Sequence, residues 1–297
     1  MTLRLAPGSA LVAAAILEQQ RCIVAALPTL ESASVEDVHA ARVAARRLRS
    51  MLKTFRPLLD QRRARLYRAD LRSFAQSLGS AREADVRSAL LRSVARADRG
   101  IGAADRRRLV TLLNETRSDS REQLRRRVAE PEWAALCKAL QRHPLGQALL
   151  AVRDAQPGAV MERVGQAWRR PVRLMKRPPE SADELHELRL AFKHCRYALE
   201  PLTDVAPEAT LRLLRRLRAA QDRLGEHRDT LLAGHWVREQ EPVLGEALVR
   251  RLLDDLAQRE LDLRQEAVAR AGRVLDAWQA WRDATREFRK PATPGRP

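Results

Sequence analysis

Apolar residues recur at spacings of three and four along almost the whole chain, and the alternating runs that mark strands are missing. Ala41, Ala44, Leu48, Met51, Leu52 and Phe55 trace one face of a helix, and Leu188, Phe192, Cys195 and Leu199 trace another. Ala, Leu, Arg and Glu, all good helix formers, fill the intervening positions, while β-branched runs are scarce. The pattern predicts an all-α fold. Breaks at Pro28, Pro57, Gly79, Gly100 to Gly102, Pro131, Pro144, Pro157, Pro178, Pro201, Pro207, Gly225 and Pro242 cut the chain into about eleven helices. The last, from about Val243 to Phe288, is long and nearly balanced in charge, which suits a brace for a bundle. Three prolines after Lys290 predict a disordered tail over 291–297.

Sliding the sequence over itself exposes a repeat of about 147 residues. The run Val38 to Arg49 lies over Leu185 to Arg196, so that His39, Arg42, Arg46 and Arg49 fall on His186, Arg189, Lys193 and Arg196. Downstream, Leu78-Gly79-Ser80-Ala81-Arg82-Glu83 lies over Leu224-Gly225-Glu226-His227-Arg228-Asp229, one residue out of step, a slip that a loop absorbs. Two halves with the same order of parts follow, 1–143 and 144–290. Each holds enough helix for a four-helix type of bundle, and two similar bundles about an internal pseudo-twofold axis are the expected architecture.

Charge sharpens the picture. Against 38 Asp and Glu stand 56 Lys and Arg, a formal charge of +18. Only Lys53, Lys138, Lys176, Lys193 and Lys290 are lysines, and the rest are arginines, whose planar fork matches phosphate oxygens. Such a surplus calls for a polyanionic partner. Cys22, Cys137 and Cys195 are odd in number and widely spaced, which argues against a disulfide framework or a zinc site and for the cytoplasm. The apolar run Ala10 to Leu17 flows into Glu18-Gln19-Gln20-Arg21 without a clean cleavage site, so it reads as the first helix of the mature protein. No stretch supplies the ~18 uncharged apolar residues of a bilayer span, and no membrane association is expected.

At 100° per residue His39, Arg42, Arg46, Arg49 and Lys53 form one stripe on the helix side opposite the apolar face. His186, Arg189, Lys193 and Arg196 form its twin, bordered by Tyr197. From Val38 to Arg56 there are six basic residues and no acidic one, so the row repels itself unless something anionic compensates. A second basic cluster follows in each half: Arg62, Arg63, Arg65, Arg68 and Arg72, then Arg212, Arg215, Arg216 and Arg218. Surrounding arginines disfavour a metal on either histidine and favour neutral imidazoles, so neither a metal site nor a cofactor is expected. Glu83, Asp85 and Asp229 follow the Leu-Gly pairs and are expected to open helices or to pin a ligand arginine by a salt bridge. The five tryptophans are expected as core or rim anchors.

The His-x-x-Arg-Val-x-x-Arg-Arg-x-Arg motif at His39 to Arg49, its weaker twin at His186 to Arg196 and the Leu-Gly pairs followed by an arginine and an acid together resemble the CHAD (conserved histidine α-helical) domain. The resemblance spans roughly Pro7 to Lys290. It implies two four-helix bundles with internal pseudo-twofold symmetry that bind inorganic polyphosphate in a basic cleft or pore, without catalysis. Carried over residue by residue, it makes His39, Arg42, Arg46, Arg49, His186, Arg189, Lys193 and Arg196 ligand-facing. Lys53, from the first stripe, and Arg65, Arg68, Arg72, Arg212, Arg215 and Arg216, from the second clusters, are expected as further contacts on charge and adjacency. It also implies association with polyphosphate granules. The sequence departs from the family pattern at Glu83, at Lys193 and at His194. Many similar proteins carry a triphosphatase-like domain in front, marked by an E-x-E-x-K strand. Met1 to Thr29 shows no such pattern, so a stand-alone binding module is expected. Non-specific nucleic-acid binding at low salt is the first alternative, which a basic groove always permits, and a histidine-based metal-binding protein is the second. Only eleven aromatics in 297 residues argue against base stacking.

Overall fold

The computed structural model describes residues 7–27, 34–204 and 206–286, and among these every regular element is helical. The order is α1 (Pro7–Ala26), α2 (Val35–Thr54), α3 (Gln61–Ser77), α4 (Gly79–Ala97), α5 (Ala103–Val128), α6 (Pro131–Arg142) and α7 (Leu145–Ala148). Then come α8 (Pro157–Leu174), α9 (Ala182–Leu199), α10 (Pro207–Glu239), α11 (Glu241–Leu244) and α12 (Glu246–Ala284). The expected break at Pro28, the end of the last helix near Phe288 and the tail over 291–297 lie outside the described residues.

The apolar stripes read from the sequence are the buried ones. Ala41, Ala44, Leu48, Met51, Leu52 and Phe55 are all sealed from solvent, as are Leu188, Phe192, Cys195 and Leu199. They join a large core that draws on α1, α2, α3, α6, α8, α9, α10 and α12. Within it Trp168, Trp278 and Trp281 stack in a row, with ring centroids 4.3 and 5.1 Å apart, and the Trp281 indole N–H donates to Thr210 Oγ1 at 2.9 Å. A second, smaller core joins α4 and α5 to the distal parts of α10 and α12. Both cores therefore take residues from before and after position 143.

Helix α1 meets the length and mean hydropathy (1.2) of a membrane span, although it carries Glu18 and Arg21. Val12, Ile16 and Ile23 on it are buried, and the helix packs on α2, α7 and α8. Gln20 fixes it to the junction of α6 and α7, donating to the carbonyls of Leu140 and His143 and accepting from the Leu145 N–H at 2.8 Å.

One expected break is absent. Gly225 sits inside α10, which runs 33 residues without interruption, whereas its counterpart Gly79 does begin a new helix after Leu78. A mid-helix glycine costs about 1 kcal/mol relative to alanine. Here the packing of Leu217, Ala220, Leu224, Ala233 and Val237 into the two cores outweighs that cost. Asp229 is consequently in the middle of a helix and not at its N-terminus.

Two stability changes follow. A Cβ at Gly225 would meet only the Arg189 guanidinium, at 3.8 Å, an ordinary contact, so Gly225→Ala should stabilise the protein by about 0.5–1 kcal/mol. A turn at this position would make the same change destabilising. Trp168→Ala, which removes the end of the aromatic row that also meets Phe192, should cost about 3–5 kcal/mol in urea unfolding.

Candidate functional site

Helices α2 and α9 occupy equivalent places in the repeat, and each has a fixed start. The Ser34 hydroxyl accepts from the Asp37 N–H at 3.1 Å to cap α2, and Ser181 with Glu184 forms a reciprocal capping box on α9. The two helices pack against each other. With their apolar faces in the core, their basic faces converge on one cleft of about 870 Å³. It is lined by His39, Arg42 and Arg46 from α2 and by His186, Arg189, Lys193 and Arg196 from α9. Helix α4 adds Arg82, Glu83 and Arg87, and α10 adds Gln221, Arg228, Asp229 and Trp236.

Equivalent residues make equivalent contacts. Arg42 reaches over Gly79, and Arg189 reaches over Gly225, each with its guanidinium in van der Waals range of where a Cβ would stand. Glu83 pins Arg42 at 3.6 Å. Arg196 is held from two sides, over the Tyr197 ring at 5.0 Å and by Glu200 at 3.7 Å, and Arg47 shares both partners. Arg87 lies 4.7 Å over the Trp236 ring. Among the described residues several buried polar atoms on the cleft side chains have no hydrogen-bond partner: Arg42 Nε, Arg189 Nε, His186 Nδ1 and Gln221 Nε2, with Arg196 Nε met only by Glu200 at 3.7 Å. Buried donors ordinarily find an acceptor, so their convergence marks a place for an anion or water.

The electrostatics point the same way. Burial, reinforced by Arg46, Arg189, Arg42 and Arg196, pushes the Lys193 ammonium down to about 6. His39 is lowered by burial and then by Arg82, Arg42 and Arg46, and His186 by burial and then by Arg228 and Arg189. Both imidazoles are thus neutral at pH 7 and able to donate one N–H each. Burial also lowers Arg42 and Arg189, and it raises Asp229 against the opposing pull of Arg189 and Lys193.

Seven of the sequence-derived residues meet in this cleft, and the others lie elsewhere. Arg49 is half-buried just past Arg46, in the field of Arg68 and Arg72 on α3. Lys53, Arg65 and Arg72 are exposed beyond it. Lys53 and Arg68 face His194, which burial first and these cations next push down to about 4, and whose Nδ1 lies 2.9 Å from Ser50 Oγ. Arg212, Arg215 and Arg216 are exposed on α10 and do not line the cleft; Arg212 borders a separate hollow of about 360 Å³ beside Trp281. Adjacency in sequence to Leu213, Leu214 and Leu217, which are buried, turns these arginines to the opposite side of the helix.

The residues that the stripes alone do not reveal are Arg82, Arg87, Arg228, Gln221 and Trp236. For Arg82 and Arg228 the signal was present, because they coincide in the repeat three residues after the glycines of the Leu-Gly pairs. Asp85, grouped with Glu83 in the sequence, turns instead to Arg117 at 2.9 Å and Arg121 at 3.5 Å, tying α4 to α5. Among the described residues no group of three or more His, Cys, Asp or Glu side chains is placed to hold a metal ion.

Lys193 makes the electrostatics testable. Its folded pKa lies below the ordinary lysine value, so between about pH 6 and about pH 10 the unfolded chain binds the extra proton and stability rises with pH. Lys193→Met should therefore gain stability over the wild type most at pH 6 and below, with the gain fading toward about pH 10. A gain that stays constant across urea unfolding at pH 6, 8 and 10 would mean that Lys193 titrates as an ordinary surface amine.

Comparison with known proteins places this arrangement. No curated protein sequence matches the chain. Among solved structures it is similar to PptA from Streptomyces chartreusis, with a TM-score of 0.73 and 21% identity over 92% of this chain and all of that one. It is likewise similar to the CHAD domain from the plant Ricinus communis, with a TM-score of 0.71 and 25% identity over 92% of this chain and 94% of that one. A family model, the CHAD domain, matches residues 14–238. With three quarters of its length covered by that match and an all-helical fold shared over 92% of it, the chain belongs to the CHAD-domain family.

Proposed function

We propose that the protein binds inorganic polyphosphate in the cleft between α2 and α9, without catalysing a reaction on it. The observation that carries this reading is the meeting of two equivalent rows, His39-Arg42-Arg46 and His186-Arg189-Lys193-Arg196, around one cleft with buried donors left open. Polyphosphate is a flexible string with about one charge per phosphate and no bases, and it needs many cationic forks and no stacking platform. Arginine forks on both walls can grip successive phosphates, and the neutral histidines add N–H donors that do not increase the repulsion. The half-buried Arg49 and Arg68 with exposed Arg72 extend the positive path from Arg46 onto α3, the route by which a long chain leaves the cleft. The cytoplasm, and polyphosphate granules within it, are the setting that this ligand suggests.

In this reading the two halves are related by an internal pseudo-twofold. The helix partners support it: α1 packs on α2 as α8 does on α9, α2 on α3 as α9 on α10, and α4 on α5 as α10 on α12. Helices at equivalent places also touch each other, α1 with α8, α2 with α9 and α4 with α10, as elements beside a twofold axis do.

Backbone-only binding of nucleic acid is the competing reading, since a +18 chain holds any polyanion at low salt. Glu83, Asp222, Glu226, Asp229 and Glu239 on the cleft wall disfavour it, because they leave a narrow cationic strip where a duplex presents two broad phosphate rows. The expected outcome is tight binding of long-chain polyphosphate near physiological salt that duplex DNA at matched charge does not displace. Arg42→Glu with Arg46→Glu and Arg189→Glu should weaken it at least about 100-fold with helicity intact, as buried ion-contact losses of a few kcal/mol imply. Arg212→Glu with Arg215→Glu and Arg216→Glu should change it less than about threefold, the ordinary effect of exposed charges. Equal displacement by DNA, or equal effects of the two triple variants in titration calorimetry, would reduce the cleft to part of a generic basic surface.

A further inference from the structure

The two rows match at three of four positions and differ at one. His39 pairs with His186, Arg42 with Arg189 and Arg49 with Arg196, but Arg46 is answered by Lys193. A guanidinium is never neutral at physiological pH, whereas an amine can be. Lys193 is also the lysine that lines the cleft: Lys53, Lys138 and Lys176 are exposed on other surfaces. Its surroundings are cationic on two sides, with Arg42, Arg46 and His39 on α2 and His186, Arg189 and Arg196 on α9, while α10 presents Asp229.

We propose that Lys193 is a nucleophilic amine that accepts an acyl group from acyl phosphates, small donors whose phosphate docks on the arginines around it. In the ligand-free cleft the electron pair that attack requires is present at neutral pH, because burial and the neighbouring guanidiniums hold the amine unprotonated. The same guanidiniums hold a phosphate dianion beside it, so the donor is bound with its carbonyl next to Nζ. Nζ forms a bond to the carbonyl carbon, and the bond from that carbon to the bridging phosphate oxygen breaks. Phosphate leaves with the electron pair and carries off the proton lost by the nitrogen, which gives an amide and hydrogen phosphate. The arginines favour this departure, since the charge that develops on the leaving oxygen lies among them. The inference needs only that the cleft holds phosphate, whichever phosphate compound the protein serves.

The test uses the full-length protein and acetyl phosphate at pH 7.5, with acetylation of each lysine followed over time by peptide mass spectrometry. An ordinary lysine is about 0.1% neutral at this pH and Lys193 is mostly neutral. Even with the lower intrinsic nucleophilicity of a weak base, Lys193 should be acetylated at least about tenfold faster than exposed Lys138 and Lys176. Inorganic pyrophosphate should slow Lys193 and leave the other two unchanged. With p-nitrophenyl acetate, which has no phosphate, the preference for Lys193 should shrink, and Arg46→Gln, checked for helicity, should shrink the preference with acetyl phosphate. Acetylation of Lys193 no faster than Lys138, or no selective protection by pyrophosphate, would overturn the inference. Polyphosphate affinity measured on the same preparation separates the readings: unreactive Lys193 in a protein that binds polyphosphate sinks this inference alone.

Discussion

Like charges crowded at the edge of a low-dielectric interior are the constraint on which the rest of the structure depends. Arg42, Arg46, Arg189 and Arg196 share one cleft with Lys193, and each lowers the affinity of Lys193 for its proton. That arrangement opposes folding, and it persists because the reverse faces of the same two helices are among the best-buried surfaces of the molecule, from Leu48 and Phe55 to Phe192 and Leu199. Helix α1 against α2, and α8 and the long α10 against α9, supply the apolar partners that hold the two charged faces in place.

Relief of the repulsion is only partial within the protein. Glu83 pairs with Arg42, Glu200 with Arg47 and Arg196, and Asp229 stands in the field of Arg189. Glu83 and Glu200 hold their arginines without filling the donor sets, and the Nε atoms of Arg42 and Arg189 have no hydrogen bond among the described residues. The site is therefore strained in charge and fixed in geometry, the condition under which an external anion gains most because little reorganisation is left to make. Polyphosphate is the ligand we infer for it, and an acylable Lys193 is the further consequence of placing an amine where its repeat partner is an arginine.

Much of this was legible in the residue pattern. Period 3.6 separates the apolar and cationic sides of α2 and α9 without reference to any neighbour, so the helices, their buried faces and the seven cleft residues on them could be read directly. What could not be read is rotational phase between elements. Arg212, Arg215 and Arg216 follow the second stripe as Arg65, Arg68 and Arg72 follow the first, yet the leucines between them turn them away from the cleft. Arg82 and Arg228 reach it only because α4 and α10 pack beside α2 and α9. The glycines misled for a related reason: Leu78-Gly79 and Leu224-Gly225 look alike, but the second lies on a helix braced along its length by α12, and tertiary packing overrides the local preference for a turn.

The most direct test of the central claim is a crystal structure of the protein with a polyphosphate of defined length. The account predicts a continuous row of phosphates lying between Arg42 and Arg189, with guanidinium nitrogens of both helices about 2.7–2.9 Å from phosphate oxygens and the histidine N–H groups turned toward them. Phosphates seated on the exposed arginines of α10, or bound to α2 with α9 untouched, would contradict it.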